Sequence, residues 1–199
     1  MKTSYDDHKL PFLLRPDLSP FIIHLTKRSD KRSAFKNLVR ILREGRIEGT
    51  RGYVKGPSPA ACFMDVPFSA LKYVLTDENA MRYEPFGVVV SKSYAYQHDC
   101  RPVCYLSDEE IKDMEVPTAQ LWRVVRFDGV GKHDAGWSHE REWRAKDGFE
   151  LPGRVRAVLV KNTKYAEALR KLIEKTPDSF ASTPLSIMPL SVLCQGLPG

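Results

Sequence analysis

Short β-rich apolar runs recur along the whole chain at irregular intervals, with helical patterns standing between them. A regular βαβ protein alternates strand and helix at near-constant spacing, and this chain does not, so a doubly wound parallel sheet is excluded. Phe21-Ile22-Ile23-His24-Leu25 and Phe86-Gly87-Val88-Val89-Val90 read as buried strands, because continuous apolar runs of that length hide both faces of a sheet. Ala60 to Met64, Pro102 to Leu106, Leu121 to Phe127, Val155 to Val160 and Leu185 to Leu190 read as further strands. The spacing predicts a helix from about Ser33 to Glu44, with Phe35, Leu38, Val39 and Leu42 as its apolar stripe and Gly45 as its stop. Pro67 opens a second helix reaching about Leu75. Ser107-Asp108-Glu109-Glu110 starts a third, and Tyr165 to Lys175 is a fourth. The expected fold is α+β with a largely antiparallel, split sheet, in a single domain over residues 1–199. Residues 1–20, with prolines at 11, 16 and 20, read as an extended arm, and the Gly/Pro-rich residues 45–59 as a loop of functional length.

Hydrophobic content of 42% and charged content of 28% are those of an ordinary globular protein. No apolar run approaches the roughly 20 residues that span a bilayer. The polar, acidic start (Ser4, Asp6, Asp7) does not read as a signal peptide. The expectation is a cytoplasmic protein with no membrane partner. Cysteines stand at 62, 100, 104 and 194, without a second pair at ligand spacing, so buried reduced thiols and no metal are expected. Charge is uneven. Residues 27–55 hold ten Lys/Arg and three Asp/Glu, a balance of +7 in a chain whose total is +6. Lys36, Arg40 and Arg43 make a basic ridge on the first helix together with Arg32, and Arg46 and Arg51 follow it. A localised basic patch fits a nucleic acid or another phosphate-bearing partner, although a solvated helix face has the same composition.

Chemistry concentrates in Trp137-Ser138-His139-Glu140-Arg141-Glu142-Trp143-Arg144. Read as a strand, it turns Glu140, Glu142 and Arg144 to one face and Arg141 and Trp143 to the other. Two carboxylates on one face repel each other unless cations surround them or a positive species binds there. A solvated edge strand paired through Arg141 and Arg144 is the plain alternative.

The chain has no Walker loop, no G-x-G-x-x-G after a strand, no G-x-S-x-G elbow and no H-E-x-x-H. Its short motifs do fall in a recognisable order. A strand ends in His24-Leu25-Thr26, and a helix carries Asn37-Leu38-Val39-Arg40-Ile41-Leu42-Arg43-Glu44-Gly45. Cys62-Phe63-Met64-Asp65-Val66-Pro67, Arg82-Tyr83-Glu84-Pro85-Phe86-Gly87-Val88 and Pro102-Val103-Cys104-Tyr105 come next. Glu140-Arg141-Glu142-Trp143-Arg144 comes last. This order, from about Phe21 to Val160, resembles the ADP-ribosyltransferase superfamily, and within it the DarT-like bacterial toxin and defence enzymes. The resemblance implies split sheets with flanking helices around a cleft for NAD, which serves as co-substrate without a metal. It implies that Glu142 is the catalytic carboxylate and Glu140 the residue on the acceptor side. It also implies that His24 and Thr26 hold the adenosine side of NAD. The family's arginine-bearing segment is matched here by Asp65-Val66-Pro67-Phe68-Ser69-Ala70-Leu71, which has no arginine. Arg82 is then the candidate clamp for the NAD phosphates, since its fork matches phosphate. Tyr83, Tyr105 and Trp143 are candidates for stacking on nicotinamide or a base.

The implied activity is transfer of ADP-ribose to DNA or RNA by a toxin or defence effector, with a neutralising antitoxin protein as expected partner. A protein acceptor stays open. So do a non-catalytic nucleic-acid-binding module on the same scaffold and an NAD glycohydrolase.

Overall fold

The computed structural model describes residues 18–52, 54–76, 82–127 and 141–194. Residues 1–17 of the N-terminal arm, and Trp137, Ser138, His139 and Glu140 of the charged segment, lie outside the described residues. The first half contains β1 (Phe21–Leu25), α1 (Ala34–Glu44), β2 (Arg46–Glu48), β3 (Ala60–Phe63), α2 (Leu71–Val74), β4 (Gly87–Ser91) and α3 (Lys92–Gln97). Next come β5 (Arg101–Pro102), β6 (Cys104–Leu106), α4 (Asp108–Asp113), β7 (Val124–Arg126), β8 (Trp143–Lys146) and β9 (Gly148–Glu150). The chain continues with β10 (Arg154–Val155), β11 (Ala157–Val160), α5 (Thr163–Lys175), β12 (Thr183–Pro184), β13 (Ile187–Pro189) and α6 (Leu190–Leu193).

Local chemistry sets the helix ends. Ser33 caps α1 by accepting from the Lys36 N–H, and Gly45 ends it at φ 65°, returning its own N–H to Ile41. Ser107 and Glu110 form a capping box at the start of α4, where Asp108, Glu109 and Glu110 also meet the positive end of the helix dipole.

The fold is α+β. A four-stranded sheet runs in the order β1-β4-β11-β13 and a three-stranded sheet in the order β3-β8-β5. A backbone bridge between Ile23 and Met64, with bonds of 2.9 and 2.8 Å, joins the two sheets. One face of the larger sheet (Ile22, Val88, Val90, Val158, Val160) packs with Leu38 and Leu42 of α1, Leu169 of α5, and the inward residues Ala61, Phe63 and Ala145 of the smaller sheet. The other face (Ile23, Leu25, Val89, Leu159) is covered by Met64, Leu71, Val74 and Leu190. Each such buried aliphatic side chain contributes about 1.5–3 kcal/mol relative to exposure.

The split, largely antiparallel arrangement holds: among the described residues β1 with β4, β4 with β11, β2 with β9, β3 with β8 and β5 with β8 pair antiparallel, while β11 with β13, β10 with β12 and β6 with β7 pair in parallel. Three sequence expectations are corrected. The expected strand 102–106 breaks at Val103, so that β5 joins β8 and β6 joins β7. The expected loop 45–59 begins with a strand, β2, paired to β9, and Thr50 bridges to Ala60. The expected last strand ends at Pro189, and Leu190 onward is helix.

Candidate active site

The site grows from β8. Its residues Trp143 and Ala145 turn inward, Ala145 buried in the first core cluster and Trp143 packed against it. Arg144 and Lys146 therefore take the outer face. The expected strand through residue 140 does not hold at its described end. β8 starts at Trp143, and Arg141 sits at φ 45°, a left-handed conformation that strands do not use. Glu142 and Arg144 nevertheless share the outer face, as alternation predicts.

Arg144 is a buried cation with only 4% of its side chain exposed, and Glu142 beside it has 12%. The guanidinium grips the carboxylate with both arms, Nε to Oε1 at 2.8 Å and Nη2 to Oε2 at 3.1 Å. Its Nη1 donates to the carbonyls of Trp122 and Val124 at 3.0 and 3.1 Å. Burial works against the charge of Arg144, but the hydrogen bonds and charge of Glu142 outweigh it and hold the guanidinium above its ordinary range. The backbone of Glu142 is fixed as well. Its N–H donates to the Tyr105 hydroxyl at 3.0 Å and its carbonyl accepts from Val103 N–H at 3.0 Å.

Cys62 on β3 is the register partner of Arg144. Burial, and after it the charge of Glu142, pushes its thiol far above the ordinary range, so Cys62 is a neutral neighbour rather than a nucleophile. The carbonyl of Cys62 is bonded to His24 Nδ1 at 2.8 Å, and the His24 ring meets Phe63 edge-on. Burial lowers the pKa of His24, which keeps the imidazole neutral. Glu142, Arg144, Tyr105, Cys62 and His24 thus form one cluster across β8 and the residue before it, β6, β3 and β1.

Other candidates are placed differently. Thr26 is buried, and its hydroxyl lies 3.2 Å from the carbonyls of both Ala34 and Phe86, so its proton is spent on the backbone. Tyr83 packs against the second core cluster, and Arg82 is exposed just before β4. Trp143 packs on the core. Cys104 is exposed, not a buried thiol as expected. Lys36, Arg40 and Arg43 line one groove of about 480 Å³ with Lys31 and Arg32. None of the cluster around Glu142 lines that groove. Arg40 also pairs with Glu44 at 2.5 Å, and Arg43 lies over the Phe180 ring. Arg46 lies outside the groove, on β2, where it bonds Glu48 and Glu150, and Arg51 is exposed beyond β2.

Sequence reasoning missed Asp65. Its buried carboxylate pairs with Lys92 at 2.7 Å, and its backbone carbonyl accepts from Arg141 Nε at 2.8 Å. It thereby ties down the residue that precedes Glu142. Only strand pairing brings residue 65 there, so no local signal announces it. The Glu142–Arg144 pair did have a signal, opposite charges two apart on a strand. Among the described residues, no group of three or more His, Cys, Asp or Glu is arranged to hold a metal, and no helix is long and apolar enough to cross a membrane.

No family model and no curated protein matches the chain in sequence. In structure it is similar to the DarT of Thermus sp. 2.9. The form in complex with ADP-ribosylated ssDNA superposes with a TM-score of 0.50 at 13% identity, over 88% of this chain and 96% of that one. The form in complex with carba-NAD+ gives 0.49 at 15% identity, over 88% and 97%. At such identity the likeness is one of architecture: this chain has the α+β fold of the DarT ADP-ribosyltransferase.

Proposed function

We propose that this protein is an NAD-dependent ADP-ribosyltransferase whose acceptor is nucleic acid, with Glu142 as its catalytic carboxylate. The observation that carries the reading is the Glu142 carboxylate, oriented by a buried arginine on the outer face of β8 and linked through Cys62 to His24. The shared fold and the order of motifs support it, since the DarT structure in complex with ADP-ribosylated ssDNA has the same architecture.

In this reaction the bond between nicotinamide nitrogen and ribose C1′ breaks. Its electron pair goes to the nicotinamide ring, which leaves neutral, and positive charge develops on the ribose as in glycoside cleavage. A fixed carboxylate beside the sugar stabilises that charge, and it needs no reorganisation at the moment of reaction. The two-armed grip of Arg144 takes one lone pair from each oxygen of Glu142 and leaves the others to accept from a ribose hydroxyl. A nucleophilic nitrogen or oxygen of the acceptor then attacks C1′ and gives up its proton, with Glu140 as the proposed acceptor-side base. His24 and Thr26 are assigned to the adenosine side, Arg82 to the phosphates, and Tyr83 and Tyr105 to the nicotinamide end. The ridge Lys36, Arg40 and Arg43, with Arg46 and Arg51, is assigned to the nucleic-acid backbone. The reading places the protein in the cytoplasm, where NAD and nucleic acid meet. It also makes the protein a toxin or defence effector with a neutralising partner.

One observation favours the alternative of a non-catalytic binding module: Glu142 is largely buried and already paired, as a structural carboxylate would be. Incubation with labelled NAD and, separately, single-stranded DNA, duplex DNA, RNA and lysate protein distinguishes the two, with Glu142→Gln as control. Label on one nucleic acid, lost by at least 100-fold in the folded variant, is expected. Intact NAD with every acceptor sinks the enzyme reading. Release of nicotinamide without labelled acceptor makes the protein a glycohydrolase.

A further inference from the structure

A second cationic cleft, of about 520 Å³, opens beside the three-stranded sheet. Arg101, Arg123, Lys146, His98, Gln120 and Trp122 line it. Its position relative to Glu142 follows from register. Arg101 on β5 is the partner of Arg144, and directly opposed residues share a sheet face. Lys146 is two residues beyond Arg144 on β8, so it shares that face too. Lys146 and Glu142 are four residues apart, at most about 14 Å along an extended chain.

Two acids, Asp99 and Asp147, also line the cleft, and Arg101 is already engaged, Nη2 with Asp99 at 3.2 Å and Nη1 with the backbone carbonyls of Tyr96 and Cys100, so Lys146 and Arg123 are the cations left to meet a ligand. Lys146 is exposed. Arg123 bonds the Pro102 carbonyl at 3.3 Å through Nη2, while its buried Nε has no hydrogen-bond partner among the described residues. The cleft therefore offers a net positive, polar surface within reach of the carboxylate.

We propose that this cleft holds a backbone phosphate of the acceptor strand, next to the nucleotide that receives ADP-ribose. The inference rests on the transferase reading above. The competing anion is the NAD pyrophosphate, and the sheet order argues against it. The strands run β3-β8-β5, and His24, assigned to the adenosine side of NAD, is bonded to β3. The cleft lies on the β5 side of β8. NAD extending from Glu142 towards His24 leaves the cleft behind it, on the side from which an acceptor approaches. Among the described residues, the α1 groove shares no lining residue with this cleft or with the Glu142 cluster.

The test is fluorescence anisotropy with a labelled single-stranded 12-mer of DNA over a range of salt concentrations, alongside NAD binding by calorimetry. The chains compared are wild type, Lys146→Glu and Lys146→Gln, each with its thermal unfolding recorded. Lys146→Glu is expected to weaken oligonucleotide binding at least tenfold at low salt. Removing one phosphate contact should lower the slope of log K against log salt by about one. Lys146→Gln, which deletes the charge without reversing it, falls between and guards against a folding defect in the first variant. Unchanged oligonucleotide affinity in both variants overturns the proposal. A loss confined to NAD affinity also overturns it and gives the cleft to the pyrophosphate. Absence of NAD turnover in the wild-type chain defeats the transferase reading instead, and the anisotropy result is read independently of it.

Discussion

Arg144 makes four hydrogen bonds from a nearly solvent-free position, two to Glu142 and two to backbone carbonyls. Truncating it leaves a largely buried carboxylate and two carbonyls unpartnered. Arg144→Met is therefore expected to cost about 3–5 kcal/mol in chemical denaturation. The double variant Arg144→Met with Glu142→Leu removes the stranded charge and recovers part of that loss. A single variant as stable as wild type would show that the pair is not buried in solution. The thiols offer a second check. Burial raises Cys62 far above the ordinary range and pushes Cys100 up to about 12, whereas Cys104 is exposed. Thiolates are what alkylate, so iodoacetamide mapped by peptide mass should modify Cys104 first and leave Cys62 and Cys100 unmodified until the protein unfolds.

Two glycines hold elements in place for different reasons. Gly45 ends α1 at φ 65°, and a Cβ there would lie 2.9 Å from the Ala181 Cβ. Gly87 opens β4 where it pairs with Leu25, and a Cβ would lie 2.4 Å from the His24 carbonyl. Gly45→Ala is expected to cost about 1–2 kcal/mol from the left-handed conformation alone. Gly87→Ala must push β1 away from β4, so it is expected to cost more and to shift His24. Thermal unfolding of the two variants ranks them, and the opposite order would mean that β1 yields easily. A helix-level comparison is Ser33→Ala, which loses the α1 cap and about 1 kcal/mol.

At the scale of the molecule, His24 couples pH to stability. Its pKa is lowered by burial from 6.5, so the unfolded chain takes up a proton more readily than the folded one. The stabilisation from a neutral, half-buried His24 is complete above about 6.5 and is lost as pH falls below it. Denaturant midpoints measured from pH 7.5 to 5 should decline. His24→Asn keeps a donor towards the Cys62 carbonyl without titrating, so it should flatten that decline. An equal decline in the variant would assign the effect to other groups.

The chain's local chemistry was enough to place β1, β4, α1 and its Gly45 stop, and the capping box of α4, because period and caps act within a few residues. It was enough, too, to put Glu142 and Arg144 on one face, from alternation alone. Tertiary structure decided what those faces meet. Glu142 reaches Tyr105 across 37 residues and His24 reaches Cys62 across 38, through strand registers that no local pattern encodes. The same long-range pairing split residues 102–106 between two sheets at Val103 and made β11 and β13 parallel. It brought Asp65 to Arg141, and it separated the basic ridge of α1 from the Glu142 cluster. Periodicity says which side of an element is apolar; only the burial of all such sides in shared cores fixes which elements become neighbours.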